Sequence, residues 1–462
     1  FSRETLQRDV VAVTDRYAER GYLFADVMPV TDTQRADSTV TVTLEITEGR
    51  QAFINRIEIT GNVRTRDKVI RREVLLVEGD VFNSALLQRS RRDLQNLGYF
   101  EEVKLDTKRA AAEDKVDLTV DVKEKPTGAF TIGGGYSSVD GAIAVASISQ
   151  GNLFGLGKRA SLQGQIGQNA SRFNAVYTDP HFLDSDYLVE IRGYDTRTRY
   201  TTNVGFNQNT RGASLTLGHR LVEEVFGAIT YSYQRVHIKD LAANAPFLVQ
   251  RQAAESGGVS HTSALIFGLS RDTRDSFAEP TRGLRTAASF EYAGGVLDAE
   301  NNFIKTSLEV SQYWPLWWKF VGHVRGNIAY GTPFGDTPDL PVQERFFLGG
   351  TNTIRGFRNF TVSPKDPAGG DGLTGGNKSF FINHEMLFPL YEPLKMRGVV
   401  FFDVGNAFDE RSDFEWSVKK AAGVGIRFTS PLGAIRLEWG FNLAREQGER
   451  MQVIHFTAGT TF

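Results

Sequence analysis

Arg355 stands in the tetrapeptide Ile354-Arg355-Gly356-Phe357, inside a loop read from about Gly331 to Asn377. A guanidinium can hold a carboxylate through two parallel hydrogen bonds, so the chemistry open to this residue is bidentate ion pairing. Period-two parity supplies two acids. Glu385 shares a face with Ser379, Phe381 and Asn383 on a strand over Ser379 to Pro389, and Asp403 shares one with Phe401 and Gly405 on the next, Val399 to Gly405. Two carboxylates facing one interior repel each other unless a cation joins them, and Arg355 is the candidate. Gly356 lets the chain turn tightly, and Phe357 can pack on the inner wall. A solvated loop arginine beside two ordinary acids is the plainer alternative. Glu385 and Asp403 could also act as general acid and base. Against that, no nucleophile with a base partner, phosphate-cradling loop or metal-spaced cluster occurs among the seven His. No catalytic residue, metal ligand or cofactor is assigned.

Composition narrows the classes. The 462 residues carry a net charge of -2, with Lys+Arg 53 against Asp+Glu 55, so there is no net basic field to collect nucleic acid. The chain has no Cys, which excludes disulfides and thiolate chemistry. No apolar run reaches the ~18 residues of a membrane-spanning helix. The opening residues form no basic-then-apolar signal pattern, which reads as a processed or trimmed start.

The N-terminal quarter repeats itself. Leu6, Val10, Val13 and Tyr17 mark one helix face over Ser2 to Glu19, with Ser2 as N-cap, followed by extended Tyr22 to Val30 and strictly alternating Thr39 to Thr47. The pattern then returns as a strand at Ile54 to Thr60, a helix over Arg66 to Leu75, and a second helix capped by Asn83. Gly98 stops that helix, and strands follow at Glu101 to Thr107 and Lys115 to Lys123. Gly21-Tyr22 matches Gly98-Tyr99, and Glu48 matches Glu124, about 77 residues on. The units are βααββ, the first of them partial over 1–50 and the second complete over 51–126.

From Gly128 onwards helix periodicity disappears and segments of ~10 residues alternate with turns, as tilted membrane-crossing strands do. Ile435, Leu437, Trp439 and Phe441 oppose Ala434, Arg436, Glu438, Gly440 and Asn442; Ala422, Val424, Ile426 and Phe428 oppose Ala421, Gly423, Gly425 and Arg427. Aromatic clusters such as Tyr313-Trp314-Pro315-Leu316-Trp317-Trp318 suit a belt at lipid headgroups. Short connections alternate with long ones at Arg197 to Gln208, Leu241 to Gly258 and Gly331 to Asn377. Sixteen strands result. An open edge in lipid would leave backbone groups unpaired, so closure is required. The fold class is therefore α+β βααββ repeats followed by an all-β transmembrane barrel of sixteen antiparallel strands over 127–462, with the loop 331–377 folded inward.

Taken together, these features resemble the BamA family of outer-membrane β-barrel assembly factors, built of POTRA repeats and a sixteen-strand barrel. The residues carrying the likeness are the two repeats, the Ile354 to Phe357 motif between the eleventh and twelfth strands, and the terminal Phe462. Further matches are Ile132 to Ser138 on the first strand, Tyr177-Thr178-Asp179-Pro180 after the fourth, and Phe401 to Gly405 on the thirteenth. The resemblance implies an outer-membrane barrel with POTRA units in the periplasm and a loop arginine set against strand acids. It implies unfolded outer-membrane proteins as clients, accessory lipoproteins at the POTRA units, and contact with membrane lipid. Family members carry more POTRA units than this chain. A two-partner secretion translocator, a TamA-like autotransporter assembly factor and a passive porin are the rival readings.

Closure makes the first strand, Gly128 to Ser138, pair with the last, Gln452 to Phe462. Gly133, Gly134 and Gly135 leave that first strand poor in side-chain contacts. A seam formed there, with Gly459 and Phe462 on the opposite side, could open sideways and offer an edge to a client strand. The same glycines could instead simply make room for the loop. Strand edges at Val40 to Thr47 and Val116 to Lys123 are candidate docking edges of the repeats.

Overall fold

The computed structural model describes residues 1–34, 39–199, 205–243, 245–277, 279–366, 372–409, 418–430 and 433–459. It forms two compact units, Phe1–Gly128 with Gln150–Arg159, and Ala129–Ser149 with Ala160–Phe462.

In the first unit, α1 (Arg3–Ala18) starts at the Ser2 cap and leads to the hairpin β1 (Asp26–Gln34) and β2 (Thr39–Thr47). The second repeat runs β3 (Phe53–Thr60), α2 (Asp67–Arg71), α3 (Ser84–Asn96), β4 (Phe100–Arg109) and β5 (Lys115–Glu124). Asn83 accepts from Leu86 N at 3.0 Å and so starts α3. Gly21 and Gly98, at φ 94° and 73°, give the left-handed turns that follow α1 and α3 at matching places in the repeat. The core of this unit is Ile54, Ile57, Val69, Ile70, Phe82, Leu94, Val103, Leu118 and Val120 with their neighbours.

Two sequence expectations change here. The helix expected over Arg66 to Leu75 closes at Arg71. Beyond it Val74 and Leu76 turn into the core while Leu75 lies outside, and Leu75 N is held by Ser90 Oγ at 2.8 Å, a pairing with α3 that competes with the next helical turn. Val116 to Lys123 is not an edge: the sheet order is β3-β5-β4, so β5 is bonded on both sides. The parallel β3–β5 pairing, a long-range contact, fills the edge that the sequence pattern left open.

The second unit holds a closed antiparallel barrel of sixteen strands. In chain order they are β6 (Gly128–Ser137), β7 (Gly141–Leu153), β8 (Lys158–Gly167), β9 (Ala170–Asp179), β10 (Tyr187–Arg199) and β11 (Asn207–Val222). Next come β12 (Val225–Lys239), β13 (Val259–Asp272), β14 (Gly283–Ala293), β15 (Phe303–Pro315) and β16 (Val321–Pro333). The last are β17 (Lys378–Tyr391), β18 (Met396–Phe408), β19 (Lys419–Ser430), β20 (Gly433–Asn442) and β21 (Gln452–Gly459). A helix, α4 (Phe247–Ser256), lies between β12 and β13.

No helix among the described residues is long and apolar enough to cross a membrane. The strands carry the apolar surface instead. On β18, Val400 and Phe402 are 42% and 40% exposed, whereas Phe401 and Asp403, which alternate with them, are 2% and 0%. Leu215, Leu217, Ile229, Tyr231, Leu308, Val424, Ile426, Leu437 and Trp439 continue this outward band, far more contiguous apolar surface than a protein surrounded by water exposes. Trp317 and Trp318, 59% and 81% exposed, stand at the turn between β15 and β16, where amphipathic indole rings suit a bilayer interface.

Candidate functional site

The barrel interior is built to receive the loop between β16 and β17. Bridges Phe346↔Gly376 and Leu348↔Val362 bring its two arms together. Ile354, Phe357, Leu348 and Val362 then form a buried cluster with Phe381, Ala407 and Ala421 of the wall.

Arg355, 1% exposed, is the centre of the site. Its Nε donates to Asp403 Oδ2 at 2.7 Å, Nη2 to Asp403 Oδ1 at 2.6 Å, and Nη1 to Glu385 Oε1 at 2.6 Å. The guanidinium lies over the Phe401 ring, 3.6 Å from its centroid. Asn383 donates to Asp403 Oδ1 at 2.8 Å, completing that carboxylate's shell. The structure thus brings together Arg355, Glu385 and Asp403. With Asp403 buried and its oxygens occupied, the pair is arranged for ion pairing, and no open proton-transfer position is left on it.

Five further side chains join them that sequence reasoning had not connected. Glu438 on β20 lies 3.4 Å from Arg355 Nη1 and is paired by Arg436 at 2.7 Å. Arg427 on β19 donates to Glu438 at 2.8 Å and to Glu385 at 2.6 and 3.0 Å. His323, stacked on Tyr313, meets the other Glu385 oxygen at 3.0 Å. Three guanidiniums, Arg355, Arg427 and Arg436, therefore face three carboxylates, Glu385, Asp403 and Glu438, and the buried charge balances. The signal for Arg427 and Glu438 was their polar-face parity. What was missing was the register that sets them at one height.

The wall also grips the loop backbone. Thr351, Asn352 and Thr353 carbonyls accept from Arg436 at 3.1 Å, Arg325 at 3.0 Å and Asn383 at 2.6 Å. Arg355 N donates to Asp403 at 2.9 Å, and Gly356 N to His455 Nε2 at 3.4 Å. Five strands thus hold five of the six residues from Thr351 to Gly356. Gly356 has φ 89°, and a Cβ on Gly440 of β20 would sit 2.4 Å from Gly356 N, so the motif rests directly on strand backbone. The loop's first arm has its own anchor: Glu344, 8% exposed, is paired with Lys305 and accepts from Gln234 at 2.9 Å, while Lys305 also meets Glu291 at 3.2 Å.

At the seam, β21 meets β6 through Thr457↔Ser137 and Ala458↔Tyr136, with Ser138 N donating to Phe456 O at 2.9 Å. Gly135 packs against this edge, since a Cβ there would lie 2.1 Å from Ala458 O, and a Cβ on Gly459 would lie 2.8 Å from Gly134 O. Gly133 lies on the same strand, two residues before Gly135. Phe462 lies outside the described residues.

The Omp85 superfamily domain matches residues 152–462. The chain belongs to the Omp85 superfamily. The POTRA model, a surface antigen variable number repeat, matches residues 1–49 and 52–125 of this Omp85 chain. The outer membrane protein assembly factor BamA of Nitratidesulfovibrio vulgaris is 32% identical over 469 residues, covering 100% of this chain and 58% of the relative. The Omp85 chain thus spans rather more than half the length of that relative. Among solved structures, BamA from Haemophilus ducreyi lacking POTRA domains 1-3 superposes with TM-score 0.82 at 22% identity, covering 100% of this chain and 94% of that one. CdiB from Escherichia coli superposes with TM-score 0.62 at 17% identity, covering 99% and 84%. At these identities the structures speak to the Omp85 fold alone.

Proposed function

We propose that this protein assembles and inserts β-barrel proteins into the outer membrane, with its POTRA units in the periplasm. The observation that carries the reading is the 32% identity along the whole chain to a protein named as an outer membrane protein assembly factor. The function is non-enzymatic and needs no cofactor. Its substrates are unfolded outer-membrane proteins, and accessory lipoproteins dock on the POTRA units.

The working element in this reading is the seam between β6 and β21. Its glycines leave few side-chain contacts across it, which makes it the least costly strand pair to separate, since each cross-strand side-chain pair contributes roughly 0.2 to 1 kcal/mol. Once apart, the β6 edge offers unpaired N–H and C=O groups on which a client strand can pair. The buried ionic site holds the loop in the lumen and keeps the wall from β16 to β20 rigid while the seam works. That division of labour is what three guanidiniums and three carboxylates shared between the loop and strands β17 to β20 can supply. A threading translocator such as a two-partner secretion protein would use the lumen instead.

The register supplies the test. Ser138 and Phe456 form a hydrogen-bonded pair, so the neighbouring pair Ser137–Thr457 is the closer, non-hydrogen-bonded kind, suited to a disulfide. The double variant Ser137→Cys with Thr457→Cys has no competing thiol. Insertion of an unfolded barrel protein into liposomes should stop on oxidation and resume on reduction, with the locked barrel still folded. Unchanged insertion by the locked form would point to the lumen route, and no insertion by the reduced form would remove the assembly reading itself.

A further inference from the structure

The outward faces of β10, β11 and β12 end in a basic patch, at the side of the barrel where these strands run into their long connections. Register sets Asp195 beside Arg211 and Arg211 beside Arg235, then Arg199 beside Asn207 and Asn207 beside Lys239. Residues of the other parity, Val236 and Ile238, are buried inside, so these cations stand on the outer surface. With Arg197 the patch holds five cations, and its carboxylates are Asp195 and Asp240. Arg211 meets Asp195 at 2.7 Å and Arg197 meets it at 3.4 Å.

Two cavities adjoin at this patch. One, of about 520 Å³, is lined by Arg197, Arg199, Lys239, Asn207 and Asp240 and is mostly polar. The other, of about 470 Å³, is a groove on the outer wall lined by Phe130, Ile148, Leu162 and Phe173, and Asp195 belongs to its wall. All four of its large apolar side chains are exposed. A Cβ added to Gly193 would meet nothing within 4 Å, so the groove is open above that glycine. The Asp195–Arg197 ion pair joins the groove to the polar cavity.

We infer that these two cavities form one binding site for an anionic membrane lipid, its phosphate on Arg197, Arg199 and Lys239 and an acyl chain in the groove beneath. Charge complementarity selects the head: three cations against Asp240 in the polar cavity leave an excess of two positive charges. The outward wall of a membrane barrel faces acyl chains, and basic side chains at its rim sit at the level of lipid phosphates. A client strand does not fit the groove, because β10 is already paired along its length with β9 and β11 and presents no free backbone there. Which leaflet supplies the lipid rests on the proposed orientation of the barrel.

The full chain in nanodiscs of phosphatidylcholine with a minor fraction of phosphatidylglycerol tests the site, with retained lipid counted by native mass spectrometry. The protein should retain phosphatidylglycerol in preference. Replacing Arg197, Arg199 and Lys239 by Gln should lower that preference roughly fivefold per cation removed. Gly193→Leu, which fills open space, should weaken retention of the intact lipid while leaving capture of glycerol phosphate unchanged. Equal retention of the two lipids by the unaltered protein, or an unchanged preference in the Gln variant with its barrel still heat-resistant on gels, would overturn the site. So would a Gly193→Leu protein that retains lipid as before, which would leave a phosphate site without a chain. None of these measurements involves a client, so their failure leaves the assembly reading standing.

Discussion

Arg355 and Asp403 are joined by three hydrogen bonds onto one carboxylate, two from the guanidinium and one from the arginine's own backbone N–H. Losing either partner strands a buried charge, which costs about 3 to 5 kcal/mol. Arg355→Ala and Asp403→Ala should therefore each lower the temperature at which the barrel loses its compact mobility on gels. Arg355→Lys should not restore it, because an ammonium lacks the planar fork that spans both oxygens. Full recovery by Lys would mean that charge alone holds the loop.

Gly440 tests the loop's seat without touching a charge. A methyl group at this position would overlap the Gly356 backbone, and overpacking of this kind costs roughly 1 to 3 kcal/mol. Gly440→Ala should displace the motif while the strand pairing on both sides of β20 survives. Limited trypsin treatment, read for cleavage after Arg358, should be faster in the variant. Equal cleavage would show that the wall relaxes around the methyl.

The loop's first arm should respond separately from its tip. Glu344→Gln removes the charge paired with Lys305 while keeping an oxygen for Gln234. Hydrogen exchange should rise in residues 342–348 and stay unchanged at Arg355 and Gly356. Adding Lys305→Met should not restore protection, because Lys305 is also the cation of Glu291 and its loss leaves that carboxylate unpaired; recovery in the double variant would mean that Glu291 needs no cation.

Asp275, in the turn between β13 and β14, gives a pH dependence. Hydrogen bonds from the Thr281 hydroxyl and backbone N–H, and from Arg282 N, hold its carboxyl at about 2, against an ordinary 3.8. The folded value lies below the unfolded one, so the turn's stabilisation is complete above about pH 4 and is lost as the pH falls through 2. Amide exchange at Thr281 and Arg282, corrected for intrinsic rates, should show protection at pH 5 that fades by pH 2. Asp275→Asn should show little change over that range.

The sequence by itself determined the strands, their inward and outward faces, the repeats and the chemistry of Arg355. Period-two alternation and helix caps are local rules, and a bidentate arginine needs an acid wherever it is buried. Helix α2 and strand β5 show where local rules stop: a pairing with α3 ends the first, and a parallel neighbour covers the edge of the second. The company of Arg427, Arg436, Glu438 and His455 around the motif was likewise decided only by the tertiary structure. Those residues lie on three strands beyond Asp403, and closing the barrel sets their heights through inter-strand register. Parity says which way a side chain points, but a shift of register moves a whole strand past its neighbour without altering one residue of its pattern.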